Sequence, residues 1–192
     1  MKKVILASTS SYRKQQLERL NISFSTMTPN VDEEPLKSEK LDHVQLSRKL
    51  SLLKARAIGD SNSDTTVIGG DQVASFNGEI LSKPKTKEKA FEQLKLLSGN
   101  QHQLITSLAI MSEGKEYIHT CIAEMNMRKL PDEQIKRYIE VDEPLQSCGS
   151  YRLEALGISL FEKIDCDDFS SIVGIPLMWT ASTLSKLGIP VP

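Results

Sequence analysis

The stretch Thr65–Phe76, TTVIGGDQVASF, runs into Asn77–Gly78 and then EIL, and it constrains the architecture more than any other part of the chain. Its β-branched and apolar residues, broken by a double glycine and a carboxylate, read as a strand. Asn-Gly supplies the two positive-φ residues of a tight hairpin turn. The strand therefore turns back on itself, and the sheet must contain an antiparallel pair. With Asn77 and Gly78 as the turn, Phe76 faces Glu79. The same register carried backwards sets Lys83 opposite Gln72 and makes it a close neighbour of Asp71. Pro84 has no N–H to donate, so the ladder is expected to fray there.

The other elements follow from periodicity and punctuation. Lys3 to Ala7 reads as a buried strand, and Arg13 to Leu20 as a helix with Leu17 and Leu20 on one face. ISFSTMTP alternates like a strand, and NVDEEPLKSEK reads as a polar loop. From about Leu41 to Ile58 an amphipathic helix is expected, with Leu46, Leu50, Leu53 and Ala57 at helical spacing. Thr86 can cap a helix that runs to about Leu97 and stops at Gly99. HQLITSLAIM and KEYIHTCIAEMNM look like an antiparallel pair around Ser112 to Gly114. Pro131 and Asp132 open a helix, LGISLFEKID is a late strand, and Pro176 to Leu187 is the last helix, ended by Gly188. Strands and helices with several hairpins give an α/β or α+β chain with a mixed sheet.

Composition excludes some functions. The net charge of −1, from 24 basic and 25 acidic residues, provides no global field for nucleic acid or an anionic membrane. Any anion site must be local. No apolar run approaches the ~20 residues of a membrane span. VILA after two lysines is too short for a signal peptide. Cys121, Cys148 and Cys166 are odd in number and lack metal-ligand spacing, which fits a reduced, cytoplasmic compartment. The single chain of 192 residues fits one domain or one domain with two lobes.

Several short stretches carry chemistry. In ILASTSSYRKQQL a strand ends at a helix N-terminus, whose unpaired N–H groups and dipole suit an anion. Ser8, Thr9, Ser10 and Ser11 add hydroxyls, and Arg13 adds a planar fork suited to phosphate. The local pattern alone favours a plainer reading, with Ser10 or Ser11 as an N-cap and Arg13 solvated. Asp71 follows a double glycine inside a strand pattern, where aspartate is disfavoured, and could bind a metal or act as a base towards water. A lysine beside it, Lys83, could hold a phosphate. Asp32, Glu33 and Glu34 form an acidic loop that gains interest only if one of them meets Asp71 around a divalent cation. Lys54 could simply snorkel from the long helix. Glu154, among apolar residues after Gly149, could be a buried partner for Arg152. His43, His102 and His119 share no spacing with cysteines or carboxylates and read as structural.

In this order the blocks ILASTSSYRKQQL, VDEEP, LLKA, VIGGDQV, GEILSKP, LSGNQHQ, DEPLQSCGSYRLEALG and IVGIPL resemble the Maf family of nucleoside triphosphate pyrophosphatases over essentially the whole chain. Gln72 after the aspartate, and Glu154 in CGSYRLEALGISLFE, are most similar to the branch acting on 7-methyl-GTP. The dTTP and UTP branch usually shows threonine after the aspartate and a second arginine where Tyr12 stands. The resemblance implies an elongated α/β fold of Maf/ITPase-like type: one domain over residues 1–192, a central mixed sheet flanked by helices, and a cleft between two lobes, often dimeric. It implies Asp71 as general base and Ser8, Arg13, Lys54 and Lys83 as holders of the triphosphate. Glu33 with Asp71 would face a divalent metal, Mg²⁺ or Mn²⁺, and Tyr12, Gln72 and Glu154 would set base choice. Two departures are Ser11 for the usual proline and Leu53 for an acidic residue before the helix lysine.

Chemistry supports the same branch. Guanine offers N1–H and N2 side by side, and a carboxylate such as Glu154 accepts both. Methylation at N7 makes the base cationic, which favours an aromatic face such as that of Tyr12. The expected function is housecleaning of modified nucleotides, with cleavage between the α and β phosphates. A dTTP/UTP or broad-range pyrophosphatase, or a nucleotide-binding regulator of septum formation, are the alternatives.

Overall fold

The structure is a computed structural model that describes residues 2–59 and 65–192. It is α/β, with one mixed sheet whose strands, in order of hydrogen-bonded neighbours, are β2 (Ser25–Met27), β1 (Lys3–Ala7), β3 (Thr65–Phe76), β5 (Gln101–Ser112), β6 (Lys115–Met127) and β7 (Phe161–Asp165); β4 (Glu79–Leu81) pairs with β3 off this path. The helices are α1 (Ser11–Glu18), α2 (Glu34–Ser38), α3 (His43–Gly59), α4 (Lys87–Leu97), α5 (Asp132–Asp142) and α6 (Leu177–Lys186). Among the described residues none of them is long and apolar enough to cross a membrane.

By contact density the chain forms two compact units. The first holds residues 1–72, 106–121 and 168–192; the second holds 73–105 and 122–167. In the first, β1 lies parallel to both β2 and β3, with Ala7 opposite Met27 on one side and Gly69 on the other. Val4, Leu6 and Ile68 pack with Leu17 of α1 and Leu177 and Leu184 of α6. Ile5, Ala7 and Val67 face Ala55 and Ile58 of α3. The carboxyl ends of β1 and of the parallel part of β3 therefore finish together, where open α/β sheets place their ligands.

The buried face of α3 is rotated from the expected stripe. It consists of Leu46, Ser47, Leu50, Ser51, Ala55 and Ile58, while Ala57 is exposed. The reason is Gly69, where a Cβ would run into the Ser51 carbonyl oxygen and lie 2.6 Å from the Ala55 nitrogen. The helix sits directly on the strand, and the small residues face inward.

In the second unit the hairpin has the expected register, Phe76 opposite Glu79, but pairing ends at Ala74–Leu81. Gln72 and Lys83 lie beyond it, so the pairing of those two residues is not made. With Pro84 next in sequence, the strand has no donor to continue the ladder. Helix α4 starts at the N-cap Thr86, whose hydroxyl accepts from the Lys89 N–H. Strand β7 runs antiparallel to β6. The acidic stretch expected as loop contains the short helix α2, because Pro35 fits a first turn and Asp32 Oδ1 accepts from the Glu34 N–H.

Candidate active site

Three side chains from separate segments of the first unit meet. The ammonium of Lys54, on α3, lies 2.7 Å from Asp71 Oδ1 on β3 and 2.9 Å from Glu33 Oε1 just before α2. Lys54 and Asp71 are largely buried, with side chains 13% and 11% exposed. Glu33 also receives Lys37 at 2.9 Å through its other oxygen. Burial pushes the Glu33 carboxyl up, but hydrogen bonds from Lys54 and Lys37 outweigh it and bring the group down from 4.5 to about 2. Glu33 is ionised throughout the physiological range. Ser47 Oγ donates to the Asp71 carbonyl and ties α3 to the strand beside the carboxylate.

The first loop is built around the helix N-terminus. Ser10 is the N-cap, its Oγ accepting from the Arg13 N–H, and Ser8 Oγ accepts from the Ser10 N–H. Arg13 leaves α1 between two glycines. A Cβ on Gly70 would lie 3.2 Å from Arg13 Nε, and one on Gly174 would lie 3.1 Å away. Arg13 Nε donates to the Gly174 carbonyl at 3.2 Å. So the double glycine has two uses: Gly69 admits the helix and Gly70 admits the arginine. Gly174, at φ +98°, completes the slot from the far end of the chain.

Gln72 is committed to the same end. Its amide nitrogen donates to Thr106 Oγ1 at 2.8 Å, to the Ile172 carbonyl at 3.0 Å and to the Ser171 carbonyl at 3.2 Å. Thr106 Oγ1 donates to Ser171 as well. This ties the segment just before Gly174 to the strand residue next to Asp71. Asp168 fixes the same segment through the N–H groups of Ser170 and Met178 and the Ser170 hydroxyl.

The remaining candidates are placed as follows. Tyr12 is half-buried on α1 in the first unit. Lys83 and Glu154 belong to the second unit, and both are exposed. Glu154 is therefore not a buried partner of Arg152; that arginine pairs with Asp142 at 2.9 Å. Sequence reasoning missed Lys37, Thr106, Asp168 and Gly174. Only Lys37 left a readable signal, its i,i+4 spacing from Glu33 on a first helical turn.

Comparison with known proteins gives one answer at the level of family. The family model "Maf-like protein" matches residues 3–187. A 7-methyl-GTP pyrophosphatase of Bdellovibrio bacteriovorus is 44% identical over 188 residues, covering 98% of both chains. One of Pseudoalteromonas translucida is 41% identical over 190 residues, covering 98% of this chain and 93% of its own. Among solved structures, a HAM1 protein from Coxiella burnetii superposes with a TM-score of 0.52 at 12% identity, over 97% of this chain and 100% of that one, a likeness of fold alone.

Proposed function

The chain belongs to the Maf family, and we propose that it is a nucleoside triphosphate pyrophosphatase that hydrolyses 7-methyl-GTP to 7-methyl-GMP and diphosphate. The observation that carries this reading is the Glu33–Lys54–Asp71 cluster at the carboxyl ends of two parallel strands. The names borne by relatives at 44% and 41% identity support the choice of nucleotide.

In this reading Asp71 takes a proton from water as the water oxygen bonds to the α phosphorus. The bond from the α phosphorus to the bridging oxygen breaks, and diphosphate leaves. Lys54 holds the Asp71 carboxylate in place. The N-terminus of α1, Ser8, Arg13, Lys54 and Lys83 hold the phosphates, charge-assisted donors that strengthen as negative charge develops. Tyr12, Gln72 and Glu154 set base choice. Because the Gln72 amide nitrogen is spent on the 171–172 carbonyls, its contribution to a base is as an acceptor, through Oε1.

A divalent cation, Mg²⁺ or Mn²⁺, fits this donor set. Glu33 and Asp71 already converge on one positive charge. Such ions are commonly held by one or two carboxylates, with substrate phosphates completing the shell. Among the described residues no group of three or more His, Cys, Asp or Glu could hold a metal ion. When bound, the ion supplies charge neutralisation on the phosphates. The single domain over residues 1–192 acts in the cytoplasm, removing a modified nucleotide before it is used.

Hydrolysis in water labelled with heavy oxygen tests the chemistry. The label should enter 7-methyl-GMP, and Asp71→Asn should lose at least ~100-fold in turnover, the scale of a positioned base. Label in the diphosphate, or near-normal turnover in the variant, would contradict the reading.

A further inference from the structure

The second unit contains a buried ionic cluster that the reaction above does not use. Asp142 closes α5, and its side chain is 2% exposed. Its carboxylate collects four donors. Oδ1 accepts from Arg152 Nη2 at 2.9 Å and the Leu156 N–H at 3.3 Å; Oδ2 accepts from Tyr138 Oη at 2.6 Å and Arg152 Nε at 3.2 Å. Tyr138, one turn earlier on the same helix face, accepts in return from the Arg152 N–H at 3.0 Å. The Arg152 carbonyl then accepts from Gly157 at 2.9 Å and Ala155 at 3.2 Å. A Cβ on Gly157 would run into that carbonyl. The turn from Arg152 to Gly157 is thus closed on itself and fastened to α5 at both ends. Glu154 stands exposed at its middle.

Burying an ion pair rarely gains stability over apolar packing of the same volume. Holding a short turn in one conformation is a different benefit. A carboxylate that must meet two adjacent donors of a base loses less entropy on binding when its backbone is already fixed. We propose that Asp142, acting through Arg152 and Tyr138, is a positioning residue for nucleobase selection, and that it holds Glu154 in the orientation that reads the base. The proposal rests on the assignment of Glu154 to the base.

The test compares Asp142→Asn, Glu154→Gln, their combination and the milder Tyr138→Phe in the full-length protein. kcat and KM are measured on 7-methyl-GTP and UTP, and backbone amide exchange is followed at Ala155, Leu156 and Gly157. Asp142→Asn should lower the preference for 7-methyl-GTP by roughly 10-fold, the scale of losing a charged hydrogen bond. The loss should fall mainly on KM, with no further loss when added to Glu154→Gln. Tyr138→Phe, which removes the hydrogen bonds to Asp142 and from the Arg152 N–H and keeps the ring, should shift preference in the same direction and carries the test if Asp142→Asn does not fold. Equal losses on both nucleotides, or losses that multiply in the combination, would overturn the proposal. Amide exchange separates this proposal from the base assignment. Faster exchange confined to residues 155–157 supports the clamp whatever Glu154→Gln does, and unchanged exchange overturns it. Unaltered selectivity in Glu154→Gln would instead remove Glu154 from the base.

Discussion

Replacing Lys54 by methionine should move the acid limb of the pH–rate profile to higher pH as well as lower its height. In the wild type the ammonium stands between two carboxylates, 2.9 Å from Glu33 and 2.7 Å from Asp71. Methionine keeps the length of the side chain and removes the charge. Burial of Glu33 then acts with only Lys37 to oppose it, so the carboxyl rises from about 2 towards or above its ordinary 4.5. The two carboxylates also lose the cation that screened them. Two like unit charges ~5 Å apart repel by about 3 kcal/mol at an effective dielectric of 20, and that repulsion raises Glu33 further. An upward shift of ~1–2 units in the acid limb follows, with a loss of at least ~10-fold on the plateau from the missing charged contact. The assay is kcat/KM for 7-methyl-GTP from about pH 4 to 9 at constant ionic strength, taken as the ratio of variant to wild type so that titration of the triphosphate cancels. A profile lowered uniformly, with its acid limb in place, would show that Lys54 does not govern the ionisation of Glu33.

Other expectations bear on separate parts of the site. Gly174→Ala should lower kcat/KM on every triphosphate by roughly 10-fold, because its Cβ displaces the Arg13 guanidinium and misplaces the phosphate grip; Gly78→Ala, at φ +81° with nothing within 4 Å, is the control that carries the backbone strain alone and should leave kcat/KM intact. Equal losses in the two would assign the effect to strain. Glu154→Gln should lower specificity for 7-methyl-GTP by roughly 1.5–3 kcal/mol, and Tyr12→Ala by about 1–2 kcal/mol, with much less effect on UTP; parallel losses on both nucleotides in kcat/KM would withdraw the base assignment. Burial holds the His102 ring at about 4 rather than 6.5, beside Tyr151 and Phe161. The unfolded chain therefore takes up a proton that the folded one refuses, and the His102 contribution to stability should fall as pH drops from 6.5 to about 4 and then level off. The slope should amount to at most about 3 kcal/mol and should flatten in His102→Gln; a wild-type melting curve without that slope would refute the assignment.

What could be read from the sequence depended on whether the signal was local. Lys3–Ala7 and Lys87–Leu97 were legible because apolar runs, caps and terminating glycines lie within each segment. The hairpin register was legible for the same reason, and so was fraying near Pro84, but not that pairing stops as early as Ala74–Leu81. Glu33, Lys54 and Asp71 could be named as candidates, yet nothing in their spacing shows one ammonium between two carboxylates; that depends on α3 resting on Gly69. Gln72 was visible as a residue, but its commitment to carbonyls at 171 and 172 was not, because the partners lie about a hundred positions away. The plainer alternative for Glu154, a buried partner for Arg152, fails for a related reason. Glu154 is nearer in sequence, but the turn points it outward, and the end of α5 supplies Asp142 instead.

The central claim, a pyrophosphatase selective for 7-methyl-GTP, is tested most directly by one panel: kcat/KM for diphosphate release from 7-methyl-GTP, GTP, UTP and dTTP with Mg²⁺. The account predicts 7-methyl-GTP first, ahead of UTP and dTTP by at least ~10-fold, because a carboxylate facing pyrimidine carbonyls is left unpaired. UTP or dTTP turned over as well as 7-methyl-GTP, or nucleotide retained without release of diphosphate, would contradict it.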